Sequence, residues 1–348
     1  MSESFLAAAA VRHQDAEHWK GSFAIVKLPY LAFATQEVQA RICNSVILDA
    51  RASPLAPFDL HRDGFTFIDR NSKLSSLLPK VLDPHDRPTV TRDAYPAIAH
   101  FVEALGSWRD GDGKGRWRAI THSHMHRYTV QCPSFTVHND YTHADQGPKQ
   151  VAKVIDGHEA SAESAKQLPF FAVNVWTALA RVQRDALAVC RWHRGRQLTD
   201  MGYADQRYDQ DEWYFVPEMC RGEAIVFKQF DSAATTTEVE DTEGRLKGAS
   251  HQRAVKASER SSLHDPCSVR AAFTLHTSFR EPHTWRKPAR RSIEYRVLVF
   301  VDEEGVLPDD FGRGAMEAIA SNAALAAAAR GARGATGAET TGMRADAA

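Results

Sequence analysis

Phe170-Phe171-Ala172-Val173-Asn174-Val175-Trp176 is the stretch that decides the fold. Phe171, Val173 and Val175 alternate with Ala172, Asn174 and Trp176, so a period of two presents two largely apolar faces. A strand apolar on both faces must be covered on both, which places it inside a sandwich or barrel. Other runs read the same way: Phe23–Leu28, Phe65–Ile68, Phe135–His138, Ala186–Cys190, Trp213–Val216, Ala224–Phe230, Ala271–His276 and Ile293–Val301. Most are short, rich in β-branched and aromatic residues, and bounded by polar or Gly/Pro segments. The clearest helical signal is Asp93–Leu105, where Ile98, Phe101, Val102 and Leu105 form one apolar stripe and Gly106 follows as a C-cap. That helix is expected to prop a sheet from outside. The expected fold class is mainly β with flanking helices.

Bulk properties bound the function. With 348 residues the chain suits one large domain or two small ones. Hydrophobic content of 43% and charged content of 25% are ordinary for a globular chain. Lys and Arg number 43 against 44 Asp and Glu, a net charge of −1. This offers no electrostatic case for a nucleic acid or an acidic membrane as partner. Cys43, Cys132, Cys190, Cys220 and Cys267 are scattered, odd in number and without a Cys-x-x-Cys, which fits a reducing, cytoplasmic setting. Phe5 to Val11 is apolar but preceded by Glu3, a poor signal peptide. No run approaches the roughly 18 apolar residues of a membrane span. The expected organisation is an N-terminal arm over 1–20 and a single domain over 21–312. Residues 233–269, of mixed charge, are expected as an inserted flexible loop, and 313–348 as a disordered Ala/Gly-rich tail in which 315–329 has helical propensity but little to bury. There are no internal repeats.

The chemistry-bearing motif is His138-Asn139-Asp140, followed 138 positions later by His276. On a strand, residues i and i+2 share a face, so Asp140 can share a metal with His138 near the end of Phe135–His138. Two imidazoles and one carboxylate bind one face of a non-haem Fe(II) and leave the other open for cosubstrate and oxygen. His276 must then come from another strand brought alongside, as a barrel of antiparallel strands does. The alternative is a surface His and Asp capping a turn.

Other histidines compete. His122, His124 and His126 alternate and are expected to share one strand face, either as a second metal site or as an exposed strand with one pocket histidine. His143 and Asp145 repeat the spacing in an expected loop. Asn174, polar in an apolar strand, must be hydrogen-bonded, to a cosubstrate carboxylate or to the protein itself. Lys228 and Tyr214 are candidates to reach the pocket, and Trp176 reads as core. Ser-His-Asp, Gly-x-Ser-x-Gly and phosphate-loop patterns are missing.

Seven blocks in order resemble a known family. They are Asp63-Gly64-Phe65, Val137-His138-Asn139-Asp140, Phe170–Trp176, Trp213-Tyr214 with Pro217-Glu218-Met219, Glu223–Ser232, His276-Thr277-Ser278-Phe279 with Glu281-Pro282, and Arg290–Arg296. Together they resemble the AsaB/CmcJ-like hydroxylase/desaturases, which include gibberellin-desaturase-like proteins, over about residues 20–305. The resemblance implies a double-stranded β-helix (jelly-roll), Fe(II) on His138, Asp140 and His276, 2-oxoglutarate as cosubstrate, molecular oxygen, and a small secondary metabolite as substrate.

A 2-oxoglutarate site also needs a cation for the distal carboxylate, ideally a guanidinium. Arg296 is the first candidate and Arg290 the second, with Asn174 a further cosubstrate contact. The chain departs from the family where Thr177-Ala178 replaces Arg-Pro, with Arg181 and Arg184 as nearby substitutes. This departure motivates an alternative, a jelly-roll small-molecule-binding protein without turnover. A third reading is a metal-dependent hydrolase, which would not need Arg296. Substrate identity, hydroxylation against desaturation, and oligomeric state stay open.

Overall fold

The computed structural model describes residues 23–34, 37–81, 83–110, 116–127, 133–141, 146–192, 198–199, 202–203, 211–234, 270–281 and 284–339. The arm over 1–20, the pair His143 and Asp145, and most of the insertion lie outside them.

Twelve strands are described: β1 (Phe23–Ala34), β2 (Glu37–Asp49), β3 (Phe65–Ile68), β4 (Arg116–Arg127), β5 (Phe170–Ala178), β6 (Ala186–Cys190), β7 (Leu198–Thr199), β8 (Gly202–Tyr203), β9 (Trp213–Phe215), β10 (Ala224–Asp231), β11 (His276–Phe279) and β12 (Ser292–Asp302). They form two sheets, β11-β6-β9-β2-β1-β8-β7 and β3-β10-β5-β12-β4. The second is antiparallel throughout, and in the first only the β2–β9 pairing is parallel. The sheets face each other as a jelly-roll.

β5 lies in the middle of the second sheet, buried along its whole length. Its two faces do different work. Phe171, Val173 and Val175 face outward, into a cluster with Tyr295, Val297 and Val299 of β12. Trp176 faces inward, into a cluster with Leu187, Val189, Tyr214, Ile225 and Phe227. Further along the inner face, Ala172 and Phe170 join Leu298, Phe300, Val151 and Ala315 in a third cluster. Asn174 therefore sits at a polar level between two apolar ones.

Helices close the outside and one end. They are α1 (Tyr95–Asp110), α2 (Gln146–Ile155), α3 (Ala162–Ala165) and α4 (Arg313–Glu339). Ile98, Phe101 and Val102 of α1 are fully buried against the outer face of the second sheet, the expected prop. Each such burial contributes about 1.5–3 kcal/mol. A π-helical turn, Val90–Ala94, leads into α1. Gly106 is not the expected cap: the helix runs on to Asp110, and a Cβ at Gly106 would lie 2.4 Å from the Trp117 ring. Glycine is kept there to let β4 approach. Gly106→Ala should cost about 1–3 kcal/mol through overpacking, despite alanine's better helix propensity, read as a lower urea midpoint.

Three expectations change. The tail is a helix over Arg313–Glu339, because Ala315, Ile319 and Ala323 recur every four residues and have a surface to cover. Ala315 N–H also donates to Glu159 Oε1 at 2.7 Å. Residues 271–275 are not a strand but a crossing between sheets: Thr274 N–H donates to Lys228 O (2.9 Å), and Cys190 N–H to Leu275 O (2.8 Å). The ladder begins only at His276. The expected strand Phe135–His138 shrinks to one bridge, His138 opposite His276.

Candidate metal centre

His138 and His276 meet through their backbones before their side chains do. His138 N–H donates to His276 O (3.1 Å), and His276 N–H to His138 O (2.9 Å). The paired residues hold their rings side by side, centroids 4.2 Å apart. Asp140, in the bend two residues on, brings Oδ1 to 3.9 Å from His138 Nε2. The ligand atoms of His138, Asp140 and His276 all lie within 4.8 Å of one another, the one such group of three or more His, Cys, Asp or Glu among the described residues.

The surroundings orient each donor. His138 Nδ1 lies 2.7 Å from Thr136 O, and His276 Nδ1 lies 3.5 Å from Thr274 O. An Nδ1–H held on a carbonyl leaves Nε2 as the lone-pair atom, the tautomer a metal needs. Asp140 Oδ2 accepts from Asn174 Nδ2 (2.9 Å) and lies 3.0 Å from Arg296 Nη2, which leaves Oδ1 to face the imidazoles. Burial works to raise the Asp140 carboxyl, but His276, Arg296, Asn174 and His138 together hold it below the ordinary carboxylate range. Burial, and then the charge of His138, push His276 down to about 3, so its imidazole is neutral near pH 7. Two imidazoles and a carboxylate gathered on one side fit a divalent iron.

Two β-bulges supply residues that strand periodicity hides. Along β12, Arg296 is opposite Ser123 but Val297 is opposite Thr121, so His122 is the extra residue of β4. Along β10, Lys228 is opposite Val173 and Phe230 opposite Ala172, so Gln229 is extra. Gln229 Oε1 accepts from Asp140 N–H at 2.9 Å. The first bulge also overturns the expectation that three alternating histidines share a face. His124 and His126 turn outward, to the Tyr95 hydroxyl (3.0 Å) and to His85 (3.2 Å). His122 lies instead by Gln150 of α2, with Nδ1 3.3 Å from its amide nitrogen.

The remaining sequence candidates separate. Asn174 is in the site, but its Nδ2 is given to Asp140 and to Glu294 Oε1 (3.0 Å). Arg290 is buried, its Nη1 donating to Ser278 Oγ and Asp185 O, both at 2.8 Å, with the guanidinium 5.3 Å from the Trp176 ring centre. Lys228 is fully buried on the other side of the sheet, on Asp231 and 5.5 Å from the Phe171 ring centre. Tyr214 is enclosed by Phe58 and Phe65. Thr177 donates to Glu223 O (2.9 Å) on the face away from the triad. Arg181 pairs with Glu218 at the surface, and Arg184 with Asp185.

Asn174→Ala removes one of the two groups on Asp140 Oδ2. Outer-shell losses of this kind lower metal affinity about 10–100-fold. Mn(II) titration of the folded variant should show that drop, and an unchanged affinity would separate Asn174 from the metal site.

Two facing sheets that bring His138, Asp140 and His276 together define a double-stranded β-helix with a candidate metal triad. The chain belongs to the family described as the oxidoreductase/YMDC permease-like domain, which matches residues 12–264. That match stops short of His276. Among the described residues, no helix is long and apolar enough to cross a membrane. The chain is 22% identical over 266 residues to the alpha-ketoglutarate-dependent dioxygenase phiK of Fungal sp. (strain ATCC 74256), covering 70% of this chain and 79% of the relative. Its fold is similar to that of the iron and alpha-ketoglutarate-dependent endoperoxidase NvfI, with a TM-score of 0.51 at 20% identity over 80% of this chain and 98% of that one. A variant of the same endoperoxidase gives 0.50 at 19%, over 80% and 97%.

Proposed function

We propose that the protein is an Fe(II)- and 2-oxoglutarate-dependent oxygenase that hydroxylates or desaturates a small organic molecule of secondary metabolism. The observation that carries this is the convergence of His138, Asp140 and His276 at one mouth of a jelly-roll, and the relative named as an alpha-ketoglutarate-dependent dioxygenase supports it. The seven ordered blocks support the finer placement among AsaB/CmcJ-like enzymes. Free thiols at Cys190 and Cys220 suit the cytoplasmic setting expected from the sequence.

In this reading His138, Asp140 and His276 hold the ion. When bound, iron supplies the oxidative decarboxylation of 2-oxoglutarate to succinate and the hydrogen abstraction from substrate that this powers. The chain's part is placement and charge. Asn174 and Arg296 fix the outer oxygen of Asp140.

Of the two arginines, the geometry favours Arg290 over Arg296 for the distal carboxylate. Arg290 holds Ser278, two residues beyond His276 on the same strand face and so roughly 7 Å along it. The two methylenes of 2-oxoglutarate span a similar length between its chelating end and its far carboxylate. Arg296 already faces Asp140.

The test is anaerobic addition of Fe(II) and 2-oxoglutarate, watching for the visible metal-to-ligand charge-transfer band. Wild type should show it, and Arg290→Ala should need at least about tenfold more cosubstrate, the loss of a charge-assisted pair. A folded, iron-loaded wild type without the band would sink the oxygenase reading and favour a binding protein. Succinate release in air separates an oxygenase from a hydrolase built on the same ligands.

A further inference from the structure

Beside Asp140, between β4, β12 and α2, two buried hydrogen-bond donors lack an acceptor. Arg296 gives Nη2 to Asp140, while its Nε is buried without a partner. His122 has Nδ1 facing the Gln150 amide nitrogen, which acts as its donor and so places the ring hydrogen on Nε2. That Nε2 is also buried and without a partner. Burial, and then the charges of Arg296 and Lys153, push His122 down to about 3. The ring is therefore a neutral donor, with two cations close enough to act on it. Lys153 stands one helical turn beyond Gln150, at the exposed rim of α2.

We propose that this pair of donors binds an anionic group of the primary substrate, a carboxylate, so that the oxygenase acts on a small organic acid. The proposal rests on the oxygenase reading. Unsatisfied buried groups of one kind point to a ligand of the complementary kind. An ionised carboxylate accepts and never donates, which is what Arg296 Nε–H and His122 Nε2–H lack. The charge balance agrees. Fe(II) with Arg290 offsets Asp140 with the two carboxylates of 2-oxoglutarate. Arg296 and Lys153 then outnumber Glu294, the acid bonded to Asn174 on the inner face of β12, by one positive charge. A monoanion completes the site where a neutral molecule would not. Its position against Arg296, itself on Asp140, sets the attached carbon skeleton beside the triad.

The probe is benzoate, with methyl benzoate as its neutral counterpart. Calorimetry follows each into Mn(II)- and 2-oxoglutarate-loaded protein and into metal-free protein. Benzoate should bind at least about tenfold more tightly than the ester. Lys153→Met, an exposed change that leaves the fold alone, and His122→Phe should each cost benzoate about tenfold, the loss of one charge-assisted contact, with cosubstrate affinity held within about twofold. Equal binding of acid and ester, or indifference of benzoate to both changes, overturns the proposal. So does benzoate that binds the metal-free protein but is expelled by saturating 2-oxoglutarate, since the two donors would then serve the cosubstrate. The oxygenase reading is judged separately by the charge-transfer band. A missing band with Lys153-dependent benzoate binding would retire the oxygenase and leave an acid-binding protein.

Discussion

His276→Ala is expected to abolish iron binding while leaving the fold in place. The contacts that hold His276 against His138 are backbone to backbone, and alanine keeps both. What is lost is the most buried donor of the triad. A ligand that binds only the native state stabilises it by about 2.7 kcal/mol at a hundredfold excess over its dissociation constant. Wild type should therefore melt higher as Mn(II) is added, and the variant should not respond. The charge-transfer band should vanish with it. A variant whose melting temperature still climbs with Mn(II) would place the ion elsewhere and remove His276 from the site.

Asp231→Ala should be the most damaging change away from the triad. Asp231 Oδ2 takes the Lys228 ammonium and, at 2.6 Å, Arg270 Nε, while Oδ1 accepts from Ala233 N–H at 3.0 Å. Lys228 is fully buried and also donates to Ala271 O at 3.0 Å. Removing one partner of a buried pair leaves an uncompensated charge and costs about 3–5 kcal/mol. That is a large part of the stability of an ordinary domain. Urea denaturation should show the loss. The paired replacement Lys228→Met with Asp231→Leu should recover most of it, since it removes both charges together. A single variant as stable as wild type would mean that the ammonium finds solvent.

The sequence made much of this architecture legible, because strands buried on one or two faces leave a period of two. β3 and β6 fall where the alternation puts them, and α1 follows its apolar stripe. β2 escaped, and in β4 only the three histidines stood out, because polar and charged residues interrupt their apolar positions. The His-x-Asp spacing singled out two members of the triad even though their strand is reduced to one bridge, since two residues at a strand end still converge. Arg296 and Asn174 were legible as site residues, but not that both would be held on Asp140. His122 and Gln229 were the hard cases. A bulge adds one residue to one strand and moves it off the alternating register, and no residue type announces it. Tertiary pairing alone sets Gln229 on Asp140 and His122 beside Gln150.

The reciprocal pair of bonds between His138 and His276 also bears on how the protein is made. The residues are 138 positions apart, and the β3–β10 and β4–β12 pairings join residues farther apart still. Contacts of such separation form slowly, because chain entropy opposes them until much of the rest is in place. A nascent or partly refolded chain therefore offers iron no complete triad. The ion can be captured only once the two edges have met, and time-resolved metal uptake would serve as a clock for that meeting.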